Sequence, residues 1–263
     1  MTFHTKVYKA LQAKGLYNVL AHSVLEWMAF KGVCIQTLIG HINICCLIEL
    51  KNGHLASCGW DKTIKILKDG VCIQTLIGHT DWVNSVIELK NGNLASASSD
   101  NTIKIWKEGM CLQTLRENYS VVRSVVELKN GNLASTSDDE TIKIWKDGVC
   151  IQTLIGHISW VKSVLELSNG NLASASSDNT IKIWKDGAYI QTLIGHIFDV
   201  NSVIELNNGN LASASSDNKI KIWKDGVCIQ TLKGHNGCVR SVIELKNGNL
   251  ASASNDKSIK IWN

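Results

Sequence analysis

Histidine, serine and aspartate, the residue types of a nucleophilic hydrolase, recur along this chain at fixed spacing. One copy contains His157, Ser174 and Asp178, and the same three types follow 39 residues later. In an enzyme such residues would activate the serine hydroxyl for attack on an acyl group. One enzyme needs one accessible site with oxyanion donors, whereas this constellation occurs several times. The repetition therefore favours a structural role, and we predict neither catalytic residues nor an enzyme.

The elements that must position these residues belong to an internal repeat. Aspartates recur with a period of 39 residues, at Asp61, Asp100, Asp139, Asp178, Asp217 and Asp256. Six residues after each aspartate comes an apolar position, occupied by Leu67, Trp106, Trp145, Trp184, Trp223 and Trp262. A fixed period of this size indicates one supersecondary unit stacked on copies of itself.

Within a repeat, the pattern is that of short antiparallel strands. Ile181-Lys182-Ile183-Trp184 alternates apolar and polar residues, as a half-buried strand does. Asn169-Gly170 separates the first two strands and predicts a type I′ hairpin turn, and Asp186-Gly187 closes the third hairpin. A four-stranded sheet of this kind cannot bury both faces alone. Radial packing of the sheets would cover these faces and most strand edges.

Composition excludes several classes of protein. The 27 Lys+Arg and 23 Asp+Glu give a net charge of +4, which is too mild to indicate nucleic-acid binding. No apolar stretch reaches the roughly 18 residues that a membrane span needs, and the first 30 residues lack the apolar run of a secretory signal. Most of the nine cysteines recur at one repeat position, which does not resemble a disulfide framework. We therefore expect an intracellular, cytoplasmic protein.

Cofactor and metal sites are not predicted. Cys45, Cys46 and Cys58 could suggest a metal site, but no second short-spaced pair of cysteines or histidines completes it. Phosphate-binding loops, nucleophile elbows and zinc-protease helices have no matching motif in the sequence. The oligomeric state stays open.

These residues together resemble the WD-repeat (Trp-Asp repeat) family of β-propellers over roughly residues 32–263. The resemblance rests on Gly-His before the first strand, Leu-Ala-Ser in the second, the turn aspartate, and Ile-Lys-Ile-Trp in the third. One departure is Lys185 directly after Trp184, and another is Glu117-Asn118 in place of Gly-His. The resemblance implies an all-β propeller of six four-stranded blades.

The two ends of the chain bear on how such a propeller closes. The last repeat stops after its third strand, so the segment Val33–Leu38 is expected to pair with this C-terminal blade and hide two edges. Residues 1–31 form a separate N-terminal segment with two alternatives. Its apolar spacing fits a short amphipathic helix. Trp27 before Lys31-Gly32 fits a decayed seventh blade instead.

The resemblance also implies that each complete blade contains a hydrogen-bonded structural set. Each set comprises a histidine, a second-strand serine, the turn aspartate and the tryptophan. The matching residues are His79, Ser96 (or Ser98), Asp100 and Trp106; His157, Ser174, Asp178 and Trp184; His196, Ser213, Asp217 and Trp223; and His235, Ser252, Asp256 and Trp262.

Positions that differ between otherwise similar repeats are the candidates for partner binding, because family members use such positions on the top face. They are Trp60, Trp82, Asn84, Tyr119, Arg123, Asp138, Trp160, Lys162, Phe198, Asp199 and Arg240. Tryptophan and arginine are enriched in binding hot spots, and the basic residues favour an acidic or phosphorylated peptide. The alternative for Trp82, Trp160 and Phe198 is core packing.

These features predict a non-catalytic scaffold that binds other proteins through the top face. A more specific version is a substrate-recognition subunit of a ubiquitin-ligase or signalling complex. The alternative is an RNA-associated propeller subunit, supported by a pI of about 8.5 and by a periodic lysine series. That series comprises Lys65, Lys104, Lys143, Lys182, Lys221 and Lys260. Its alternation with isoleucine favours a solvated strand face over a nucleic-acid site.

Overall fold

The computed structural model describes residues 40–116 and 120–263, and these residues form 23 strands and no helix. The chain divides into two compact units, residues 1–125 and residues 126–263. No helix within the described residues is long and apolar enough to cross a membrane. The predicted all-β architecture is confirmed. The expected pairing of Val33–Leu38 and both alternatives for residues 1–31 fall outside the described residues.

The first unit contains two complete antiparallel sheets. The strands of the first sheet are β1 (Ile44–Glu49), β2 (Leu55–Gly59), β3 (Thr63–Lys68) and β4 (Val71–Ile77). Those of the second are β5 (Val83–Glu88), β6 (Leu94–Ser98), β7 (Thr102–Lys107) and β8 (Met110–Arg116). The strands of the third sheet are β9 (Val122–Glu127), β10 (Leu133–Ser137), β11 (Ile142–Lys146) and β12 (Val149–Leu154). The boundary between the two units falls within β9.

The second unit continues with three further sheets. The fourth sheet consists of β13 (Val161–Glu166), β14 (Leu172–Ser176), β15 (Thr180–Lys185) and β16 (Ala188–Ile194). The fifth consists of β17 (Val200–Glu205), β18 (Leu211–Ser215), β19 (Lys219–Lys224) and β20 (Val227–Lys233). The sixth has three strands in the described part of the chain, namely β21 (Val239–Glu244), β22 (Leu250–Ser254) and β23 (Ile259–Trp262). Strands adjacent in sequence are adjacent in every sheet, so each repeat is a meander.

The turn between the first two strands of a repeat differs from the prediction. In the fourth sheet, Gly170 has a φ of +85°, but Asn169 does not have a positive φ, so a type I′ turn is wrong here. Asn169 instead accepts the backbone N–H of Asn171 with its side chain at 3.0 Å. The pair with positive φ at both positions is Asp186 (+50°) and Gly187 (+89°), in the third hairpin.

Apolar side chains of consecutive sheets form the core within each unit. In the second unit, Ile181 and Ile183 of the fourth sheet pack in one buried cluster with Val200, Val203 and Trp223 of the fifth. The third and fourth sheets share a similar buried cluster, which includes Trp184 of the fourth sheet. The alternating isoleucines and the terminal tryptophan of each third strand are therefore the residues that join neighbouring repeats.

Carboxylates at the ends of the first strands also join consecutive sheets. Glu205 accepts the backbone N–H of Ser168 at 2.7 Å and its hydroxyl at 2.6 Å, and Glu88 accepts the N–H of Lys51 at 2.6 Å. The same contact recurs between Glu166 and Lys129 and between Glu244 and Asn207. Each of these hydrogen bonds spans 37 residues, so in these four cases the later repeat completes the first turn of the repeat before it.

The fourth strands are the outer edges of the sheets. On β4 the side chains of Val71, Ile73 and Ile77 are all exposed. The repeated cysteines lie on these strands, exposed in Cys72, Cys111 and Cys150 and half-buried in Cys228. All eight cysteines of the described residues are free thiols.

Candidate protein-interaction site

The fourth repeat shows how a histidine set is built. His157 lies with Nδ1 at 2.6 Å from Asp178 and with Nε2 at 2.7 Å from the Ser174 hydroxyl. The indole N–H of Trp184 donates to the same hydroxyl at 2.8 Å. Because an indole can only donate, the Ser174 hydroxyl uses its hydrogen for Nε2 of the imidazole. The Nδ1–H of His157 then donates to the carboxylate.

Three other repeats contain the same arrangement, with each of the three contacts between 2.7 and 2.8 Å. The structure thus brings together His79, Ser96, Asp100 and Trp106; His196, Ser213, Asp217 and Trp223; and His235, Ser252, Asp256 and Trp262. Ser98, the alternative to Ser96, is not part of the histidine set. Its hydroxyl donates to the carbonyl of Asp81 and accepts the N–H of Asp100, so that it closes the turn.

These sets do not offer a nucleophile to a substrate. The Ser174 hydroxyl faces the imidazole as in a hydrolase, but Ser174 is 0% exposed and His157 is 4% exposed. The oxygen also accepts the Trp184 indole N–H, which holds the hydroxyl inside the buried set. We therefore attribute positioning, not chemistry, to these residues.

Hydrogen bonding keeps the aspartates of the sets ionised. Burial alone would raise the pKa of Asp178, but hydrogen bonds from His157 and Thr180 outweigh it and lower the pKa to about 2. Burial is likewise outweighed by the histidine hydrogen bond in Asp61, Asp100 and Asp217, whose pKa values lie below the usual range. The hydrogen bonds of the folded protein thus favour the charged form of these carboxylates.

The first repeat has a set that sequence reasoning missed. His41 lies 2.8 Å from both Asp61 and the Ser57 hydroxyl, while Leu67 fills the position of the tryptophan. The prediction covered only repeats that contain both the histidine and the tryptophan. The missing tryptophan therefore does not abolish the histidine contacts.

In the third repeat, the basic side chain that contacts the turn aspartate is a lysine. Trp145 still donates to Ser135 at 2.9 Å, as in the complete sets. Lys143 reaches the carboxylate of Asp139 at 2.6 Å, and together with Thr141 it lowers the pKa of that group although burial would raise it. Asn118, at the histidine position, and the predicted site residue Tyr119 lie outside the described residues.

The prediction of a solvated lysine face is wrong. None of the six periodic lysines is exposed, and Lys182 is only 8% exposed. Its ammonium donates to the Thr192 hydroxyl at 3.0 Å and lies 4.1 Å from the centroid of the Tyr189 ring. Lys104 contacts Thr114 of the outer strand in the same way, at 2.9 Å. The aliphatic stems pack along the sheet and the charged ends reach across to its outer strand.

Two predicted partner-binding residues of the first unit stack on each other. The rings of Trp60 and Trp82, hereafter the Trp pair, have centroids 4.3 Å apart and planes inclined by 6°. Trp60 is 43% exposed and Trp82 is 42% exposed. In the second unit Trp160 and Phe198 are also exposed, at 49% and 57%. Core packing, the alternative for Trp82, Trp160 and Phe198, is therefore wrong.

Several of the predicted polar binding residues are engaged within the chain. Lys162 forms an ion pair with Asp199 at 2.6 Å and also donates to Asn201 at 2.9 Å. Lys162 lowers the pKa of Asp199 although burial would raise it. The charges of Lys162 and Asp199 thus compensate each other.

The remaining predicted polar residues have mixed surroundings. Asn84 donates to the Ser99 hydroxyl at 3.0 Å, and Arg240 donates to Asn255 at 2.9 Å. Arg123 and Asp138 are half-buried. At this first-strand position, Asn84 and Arg240 therefore contact the turn of their own sheet, whereas Lys162 contacts the next sheet.

Cys45 and Cys58 of the first sheet are poor metal ligands and poor nucleophiles. Burial, reinforced by Cys46, raises the pKa of the Cys45 thiol to about 12, despite a hydrogen bond from Trp60 and the positive charge of Arg123. Burial also raises the pKa of Cys58. Protonated thiols neither attack nor bind metals well. No cluster of three metal-ligating residues occurs within the described residues.

Repeated antiparallel meanders, most of which contain a buried histidine set and which pack on their neighbours through buried tryptophans, define a repeat protein built from propeller blades. The family model of the WD domain, G-beta repeat (WD40), matches residues 32–67, 70–107, 109–146, 148–185, 187–224 and 226–263. The chain belongs to the WD40 family, and its six sheets are blades of the β-propeller fold.

A solved structure supports the same assignment. The chain is similar to the crystal structure of the WD40 beta propeller domain of Doa1, with a TM-score of 0.76 and 27% sequence identity. The similarity covers 83% of this chain and 79% of that one. No curated protein matches the sequence significantly.

Proposed function

We propose that this WD40 protein is a non-catalytic scaffold that binds other proteins through residues preceding the first strands and the third strands of its blades. The observation that carries the proposal is the exposure of Trp60, Trp82, Trp160 and Phe198 at positions that vary between near-identical repeats. Large exposed aromatic side chains are uncommon on surfaces without partners and dominate binding energies at interfaces. WD40 propellers typically mediate protein–protein interactions.

Protein partners fit this surface better than RNA does. The lysine series that would attract phosphates is half-buried and hydrogen-bonded across the sheets, as in Lys104 and Lys182. The small net charge of +4 also favours protein partners over RNA. The pairing of Lys162 with Asp199 also weakens the expectation of an acidic or phosphorylated peptide.

The eight free thiols of the described residues fit a reducing compartment, and we propose the cytoplasm as the place where this scaffold acts.

The proposal is tested by affinity purification of the intact chain from cells that produce it. Two double variants remove the exposed aromatics of each unit, namely Trp60→Ala with Trp82→Ala, and Trp160→Ala with Phe198→Ala. Ile229→Ala is the control, because Ile229 is 54% exposed but lies on an outer strand. We expect at least one double variant to lose partners that the control retains. An identical set of partners for all variants would show that the chosen surface is wrong.

A further inference from the structure

The Trp pair is held in place before any partner arrives. The N–H of Trp60 donates to the carbonyl of Asn43 at 2.9 Å, and the carbonyl of Trp82 accepts the N–H of Ser99 at 2.8 Å. The rings then stack almost in parallel, so that each fixes the other. A rigid aromatic surface that stays two-fifths exposed loses little conformational entropy when a ligand binds to it.

A carboxylate without a cationic partner lies beside the Trp pair. Asp81 directly precedes Trp82 and accepts its backbone N–H with Oδ1 at 2.8 Å. Within residues 40–116 and 120–263, no cation forms an ion pair with Asp81. Its second oxygen, Oδ2, is thus available to accept further hydrogen bonds.

Charges of both signs lie near the Trp pair. Arg123 and Asp61 both act on Cys45, which the Trp60 indole contacts, and they move the pKa of its thiol in opposite directions. Asp81 has no cationic partner within the described residues, so its carboxylate favours a positively charged ligand.

We propose that the Trp pair and Asp81 form a binding site for a cationic side chain, namely an arginine of a partner protein. This inference rests on the proposed scaffold function and names the chemistry of one contact. A guanidinium stacks on an indole face, which attracts cations through its quadrupole. The same planar group donates two hydrogen bonds to a carboxylate, so the two features select arginine over a neutral side chain.

Repeat four supplies an internal comparison. Trp160 occupies the position that Trp82 has in the second repeat and is similarly exposed, but Ser159 precedes it where Asp81 precedes Trp82. If the carboxylate selects the ligand, a cationic peptide binds at Trp82 and leaves Trp160 unaffected.

The test is an NMR titration of the full chain carrying labelled tryptophans. The probes are three capped peptides, Gly-Arg-Gly, Gly-Leu-Gly and Gly-Glu-Gly. We expect the arginine peptide to shift the indole N–H signals of Trp60 and Trp82 while the Trp160 signal stays in place. Trp82→Ala should weaken binding by about 5-fold to 30-fold, which is the upper part of the range that cation–π contacts span.

Two charge variants complete the test. Asp81→Asn keeps an acceptor for the backbone N–H but removes the charge, so we expect weaker arginine binding that no longer depends on salt. Asp186→Asn, in an exposed hairpin turn of the second unit, removes a charge elsewhere and should leave binding unchanged. Equal affinity for the leucine or glutamate peptide, or an Asp81→Asn variant that binds like the original chain, would overturn the inference.

Failure here is distinguishable from failure of the scaffold function. If captured partners depend on Trp82 but the arginine peptide does not bind, the scaffold function stands and the cationic ligand is wrong. If the arginine peptide binds while no captured partner depends on any exposed aromatic, the site exists but the proposed function is wrong.

Discussion

Replacing Ser174 with alanine should destabilise the fourth repeat through two partners at once. The hydroxyl is fully buried, and it contacts both His157 and Trp184. Each polar group left buried without a partner costs about 1–3 kcal/mol, so Ser174→Ala should lower the free energy of unfolding by about 2–6 kcal/mol. The first repeat is the matched control. Ser57 is 3% exposed, and because Leu67 replaces the tryptophan there, Ser57→Ala leaves only one group unpaired and should cost about 1–3 kcal/mol.

Urea unfolding followed by circular dichroism gives the total loss of stability for each variant. Hydrogen exchange measured by mass spectrometry then assigns the loss to a repeat, because local opening is reported peptide by peptide. Faster exchange is expected in β13 to β15 for Ser174→Ala and in β1 to β3 for Ser57→Ala. Equal losses for the two variants would refute the reasoning, since they would show that the tryptophan hydrogen bond contributes nothing.

Three further outcomes follow from the ionised groups and the contacts between sheets. The pKa of Asp178 is lowered from 3.8 to about 2 in the folded state, so its charged form contributes about 2 kcal/mol to the free energy of unfolding above pH 4. This contribution is lost as the pH falls through 2, and urea midpoints measured at decreasing pH would reveal the loss. Lys143→Met removes the cation that compensates Asp139 and should cost about 1 kcal/mol in thermal or urea unfolding; no change would mean that the ion pair is dispensable. Glu205→Gln weakens the charge-assisted hydrogen bonds to Ser168 and should accelerate amide exchange in that turn, whereas unchanged exchange would contradict the proposed link between sheets.

The repeat made much of the fold predictable. Recurring Ile-Lys-Ile-Trp strands and turn aspartates give the strand order, because strands separated by short turns pair with their sequence neighbours. The histidine contacts followed from the family resemblance, and the structure places the predicted atoms within hydrogen-bond distance in four repeats. The resemblance was sufficient in these four repeats because every complete copy repeats the same local geometry.

The errors have physical causes that single residue types do not reveal. Alternation predicted that Lys182 faces solvent, but a long stem lets its charge reach a hydroxyl of the next strand while most of the residue is buried. The Asn169-Gly170 dipeptide suits two different turns, and the side-chain hydrogen bond of Asn169 decides between them. His41 was left out of the predicted sets because Leu67 replaces the tryptophan in its repeat.

The Trp pair could not be predicted because it depends on two different repeats. Trp60 belongs to the turn of the first sheet, and Trp82 precedes the second sheet. Their stacking requires the geometry between sheets, which sequence periodicity does not contain. The same is true of the ion pair of Lys162 with Asp199, whose members lie 37 residues apart.

The glutamate contacts between consecutive sheets have a direction that matters during synthesis on the ribosome. Translation produces the Ser168 turn first, and its carboxylate partner emerges 37 residues later. The first turns that these contacts complete, such as the turn at Ser168, can therefore form the hydrogen bonds only after the following repeat has been synthesised.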